Sequence, residues 1–131
     1  MKRLLAAIPI LLCLLCLPAK AQHSVTVAAG APTPGTPACT TTPSFTFNIY
    51  RGTTSGAEST TPLNATPIPS ATAGGFTYTD STVALGNTYY YKYSVTEVCG
   101  TLNIVSALSN EVSQAFPSQP TPAALSVNSA N

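Results

Sequence analysis

The side chains of this sequence that could do chemistry are few and widely spaced. Histidine occurs once, at His23, and the carboxylates are Glu58, Asp80, Glu97 and Glu111. Catalysis needs a nucleophile with a base in reach, paired carboxylates, or a metal held by several ligands. Asp80 and Ser81 stand together, but after an alternating run that pair reads as turn chemistry, its side chains bonding the backbone of a bend. The other carboxylates are scattered and expected on turns or outward faces. A zinc site needs four ligands, and His23 with Cys39 and Cys99, the cysteines outside the N-terminal apolar run, does not supply them. This reading assigns no catalytic, metal-binding or cofactor-binding residue and expects no enzyme.

The cysteines divide into two sets. Lys2 and Arg3 precede an apolar run from Leu4 to Leu17, followed by Pro18 and Ala19-Lys20-Ala21. That is the pattern of a secretory signal, residues 1–21, with a small-x-small cleavage site. The run is shorter than the roughly 20 residues of a spanning helix, and a proline closes it, so no membrane span is expected in the mature chain. A lipid anchor on Cys13 or Cys16 would need a small residue before the cysteine, where Leu12 and Leu15 stand. Cleavage after Ala21 would leave one small domain beginning at Gln22, exported to the periplasm, the cell surface or the exterior. It keeps Arg51 and Lys92 against four carboxylates, a formal net charge of −2, which argues against a nucleic-acid partner. It also keeps Cys39 and Cys99, an even pair in an oxidising compartment, read as a disulfide with two separate buried thiols as the alternative.

The elements that position these groups are strands. No stretch after residue 21 has apolar residues at helical spacing, whereas several short runs alternate with period two. In "SVTV", Val25 and Val27 share a face. In "FTFNIYR", Phe45, Phe47 and Ile49 point inward and Thr46, Asn48 and Tyr50 outward. In "GFTYTD", Phe76 and Tyr78 share a side. The stretch "GNTYYYKYSV" divides by the same rule, with Tyr89, Tyr91 and Tyr93 expected in the core and Tyr90 and Lys92 outside. The last strand is expected within "LNIVSALSNEVSQAF", with Leu108 and Val112 as its core contacts. Prolines and glycines break residues 32–43 and 62–75 into connections.

In this order the fragments "SVTV", "FNIYRGTTSG", "FTYTDSTV", "GNTYYYKYSVTEV" and "ALSNEV" resemble strands B, C, E, F and G of a fibronectin type III domain, across most of residues 24–116. The resemblance implies an all-β, immunoglobulin-like Greek-key sandwich over residues 22–116. Tyr89, six residues after Val83, falls where the family carries the tyrosine that closes the corner between strands E and F. It also implies that Cys39 and Cys99 meet, because the loops after strands B and F share a pole. Two features depart from the family. The chain has no tryptophan; Ala29 takes the core position, leaving Phe45 or Phe76 to fill the space. Cleavage after Ala21 would leave only Gln22 and His23 before strand B, so strand A is expected to be missing and strand B to be an open edge.

Two functions fit. One is a secreted, non-catalytic module for protein or carbohydrate binding or adhesion, with Tyr50, Tyr90 and Lys92 on one outer face as a candidate ligand platform; a cross-strand pair that merely steadies the sheet is the alternative. The other is a structural subunit, a homo-oligomer assembled head to tail. Its donor would be the Pro, Thr and Ser-rich tail 117–131, in which Leu125 and Val127 alternate as strand A would; a disordered tail is the alternative. Arg51-Gly52-Thr53 reads as a turn, and Asn64-Ala65-Thr66 fits a glycosylation acceptor.

Overall fold

A computed structural model describes residues 23–70 and 74–125; the signal segment 1–21 and the donor residue Val127 lie outside them. The period-two runs form strands. β1 (Val25–Ala29) half-buries Val25, Val27 and Ala29 and exposes Thr26 and Ala28. It pairs antiparallel with β4 (Phe76–Asp80), Val27 opposite Tyr78, as a two-stranded sheet. The turn into β4 requires glycine: Gly75 has φ +76°, and a Cβ there would collide with the Ala29 carbonyl oxygen.

The second sheet is built on β2 (Ser44–Gly52) and β5 (Thr88–Cys99), paired antiparallel with Phe47 opposite Val95 and Tyr50 opposite Lys92. The far edge of β2 carries the short β3 (Ile68–Pro69). The far edge of β5 carries β6 (Leu102–Val105) and then β7 (Val112–Ala115). Every ladder is antiparallel and no helix occurs among the described residues. The molecule is all-β, and its apolar interior is that of a β-sandwich. Phe47, Ile49, Phe76, Val83, Tyr89 and Tyr91 form the core. Phe76 takes up the space opposite Ala29: its ring centroid lies 4.8 Å from Phe47 and 5.1 Å from Tyr93.

Three sequence expectations change. Tyr93 is half-buried rather than buried, because it lines two surface clefts. Tyr90 and Lys92 are half-buried rather than exposed: Tyr90 lies between Gly52 and Ser113 of the adjoining strands, and Lys92 is gripped by acids. Leu108 and Val112 are not core contacts; they are 52% and 50% exposed. The last strand is interrupted, and its gap is bridged by serines. Ser106 and Ser109 N–H groups donate to the Val95 and Tyr93 carbonyls at 2.8 and 2.9 Å, while their hydroxyls accept the N–H of Val95 and Tyr93 at 3.0 and 3.1 Å. The serine side chains thus complete the ladder, and the bulge turns Leu108 out.

Candidate functional site

Cys39 and Cys99 form a disulfide, with Cα atoms 5.6 Å apart, tying the long connection after β1 to the end of β5. Beside it Glu97 points inward and is 5% exposed, against the expectation of an outward carboxylate. Period two puts Glu97 on the face of Tyr93 and Val95, and the loop covers it: it accepts the Gly35 N–H at 2.8 Å, and its Oε1 lies 3.1 Å from Cys39 Sγ. Cys39, Glu97 and Cys99 would offer ligand atoms within 4.8 Å of one another. With the two sulfurs bonded to each other, neither is the thiolate a metal takes.

A second polar group is built into the core. Arg51 belongs to β2 rather than a turn, and its guanidinium reaches Asp80 Oδ2 at 2.6 Å and the Thr82 hydroxyl at 2.7 Å. Asp80, 1% exposed, also receives the Tyr91 hydroxyl at 2.9 Å and the Thr82 N–H at 2.9 Å. Burial works to raise the Asp80 pKa, but the bonds from Thr82, Arg51 and Tyr91 outweigh it and hold the carboxyl below its ordinary value. Burial, then the Asp80 carboxylate, push the Tyr91 phenol up. Asp80 does cap its bend, through Thr82 rather than Ser81. Every group here is engaged by a neighbour, which makes this a structural network.

Tyr50, Tyr90 and Lys92 do share the outer face of β2 and β5, with Tyr50 opposite Lys92 and Gly52 opposite Tyr90. The polar atoms of Tyr50 and Lys92 are already used. Lys92 Nζ is 3.0 Å from Glu58 Oε2 and 3.6 Å from Glu111 Oε2, and the Tyr50 hydroxyl lies 3.3 Å from Ser94 Oγ. Glu111 also accepts the Ser55 hydroxyl and the Gly56 N–H, both at 2.7 Å. Hydrogen bonding with Glu58, then with Gly56 and Ser55, brings the Glu111 pKa down to about 2. A carboxyl with a depressed folded-state pKa stabilises the fold above its unfolded pKa and loses that contribution as pH falls through the folded value. The urea midpoint should therefore fall between about pH 4.5 and 2, with Asp80 contributing in the same direction, and Glu111→Gln should flatten part of that limb. An unchanged acid profile in Glu111→Gln would remove Glu111 from this account.

Asn64 is 9% exposed and is not presented to a glycosylating enzyme. Its Oδ1 accepts the Ile49 N–H at 2.7 Å, and its Nδ2 donates to the carbonyls of Phe47 and Thr66 at 3.2 and 2.8 Å. The amide stands in for a neighbouring strand along β2, a role that the three-residue acceptor motif does not signal.

The Glu58 Oε1 is buried without a hydrogen-bond partner, and a row of backbone groups also remains unengaged. Among the described residues β1 pairs with β4 alone, so its other edge is open. Beneath that edge a cleft of about 210 Å³ runs between the sheets, with an apolar wall that includes Val27, Ile49, Phe76 and Val112 and with Lys92, Ser109 and Asn110 also lining it. Ile49 and Tyr91 are among the most deeply buried residues of the molecule, so the cleft reaches the core. The sequence does not indicate the cleft, which depends on how β7 is held. No family model, curated protein or solved structure matches this chain.

Proposed function

We propose that this chain is an exported, non-catalytic module of the fibronectin type III kind that binds another polypeptide through the open edge of β1, in an adhesive or assembly role. The carrying observation is a mainly apolar cleft under a strand edge that no described residue pairs. Backbone N–H and C=O groups on that edge give an extended segment its hydrogen bonds, and the cleft takes alternate side chains. The family reading draws support from the strand order, β1 with β4 and β3-β2-β5-β6, which matches strands B and E facing C′, C, F and G. It draws support also from Tyr89, whose hydroxyl accepts the Ala84 N–H at 3.0 Å, as a tyrosine corner requires. The disulfide is compatible with an oxidising, exported setting. Carbohydrate is the weaker partner, since Lys92 is already paired and Tyr50 and Tyr90 are half-buried.

Selection of peptides from a displayed random library against the exported protein tests this reading. Binders should share apolar residues at every second position and should lose binding to Val112→Asp, which puts a charge at the mouth of the cleft without disturbing the core. Binders indifferent to that change and lacking the alternation would overturn it.

A further inference from the structure

Resting on that reading of the β1 edge, we infer that the segment it accepts is residues 117–131 of a second copy of this chain, with Leu125 and Val127 entering the cleft between β1 and β7. Extended backbone places residues 123, 125 and 127 on one face, and in this sequence they are Ala123, Leu125 and Val127. Leu125 is 96% exposed, the most exposed of the large apolar residues described. The opposing surface is the mirror case: Val112 is 50% exposed at the rim of the cleft, and Val25, Val27 and Ala29 are half-covered. The tail carries no charged residue, so its burial would strand none. Pro117, Pro120 and Pro122 hold its first part extended, which lowers the entropy lost on docking.

Geometry favours a neighbour over the molecule's own tail. Phe116 follows β7 and stacks edge-on to His23, with centroids 6.1 Å apart, so the tail leaves beside the start of β1. Turning back along its own β1, it would run parallel to that strand, whereas every ladder among the described residues is antiparallel. An antiparallel segment has to arrive from the far pole, where a second copy's tail can enter. Donor and acceptor surfaces differ, so the contact is heterologous and repeats head to tail.

The experiment compares the full exported chain with two variants by sedimentation velocity over a range of concentrations, with amide exchange of residues 25–29 read on each species. Wild type should form a concentration-dependent ladder with β1 amides slowed in the larger species. Leu125→Asp with Val127→Asp removes the donor, and Val112→Asp damages the acceptor. Each change should weaken self-association by at least about tenfold, because a charge must be buried against the apolar wall of the cleft. Mixing the two variants should restore one contact per pair and stop at the dimer. Both variant sites are exposed or lie outside the core, and unchanged melting of the monomers verifies that they fold. A wild type that stays monomeric with fast-exchanging β1 amides would overturn the tail as donor while leaving the open edge intact. A monomer in which all of residues 25–29 are protected would overturn the open edge itself. A ladder that both variants still form would place the contact elsewhere and overturn the inference.

Discussion

Tyr91→Ala should lower the free energy of unfolding by about 3–5 kcal/mol, the range for truncating a large buried ring. Tyr91 is 2% exposed and in the centre of the core, so the lost ring leaves a cavity that the paired β2 and β5 backbones cannot close. Its hydroxyl donates to Asp80 Oδ2 at 2.9 Å, so truncation also leaves a buried carboxylate one donor short. Tyr91→Phe isolates that second contribution and should cost about 1.5–3 kcal/mol, the value of a hydrogen bond to a charged group. Tyr90→Ala, one residue away on the opposite face, should cost far less than Tyr91→Ala, because its ring is only half-buried. Urea denaturation of the three variants decides the matter. Equal losses at positions 90 and 91 would mean that β5 is set one residue out of register.

That alternation also explains which parts of the molecule could be read from the sequence. Period two is a local property, and it separates Phe45, Phe47 and Ile49 from Thr46, Asn48 and Tyr50 without knowledge of the partner strand. Whether an inward position holds an apolar or a polar group depends on what stands across the sandwich. Arg51 and Glu97 face inward by the same alternation, yet their roles come from Asp80, 29 residues away from Arg51, and from Gly35, 62 residues away from Glu97. Local reading therefore made one a turn residue and the other a surface acid. The last strand failed for a related reason: Leu108 keeps an apolar identity, but the hydroxyls of Ser106 and Ser109 substitute for backbone bonds and bulge the chain, and no local period announces that. The two faces of β1 were legible because Val25 and Val27 alternate with Ser24 and Thr26 within the strand itself. The depth of the cleft was not, because it is set by the distance between two sheets.

Replacing Cys39 and Cys99 together by serine should lower stability by about 4 kcal/mol, from the chain-entropy cost of freeing a loop with a sequence separation of 60. The stabilisation belongs mainly to the unfolded state, which the cross-link keeps compact, and two consequences follow. The urea dependence of unfolding should steepen, because an uncross-linked unfolded chain exposes more surface. The native pole should largely persist, because Glu97 still accepts the Gly35 N–H and keeps the loop against β5. Since β1 and its cleft lie along the side of the sandwich and depend on β4 and β7 rather than on this pole, the serine variant should still self-associate at temperatures where it is folded. A loss below about 1 kcal/mol in urea denaturation would show that the bond contributes little. Loss of self-association in the folded variant would show instead that the loop it anchors, not the edge of β1, makes the contact.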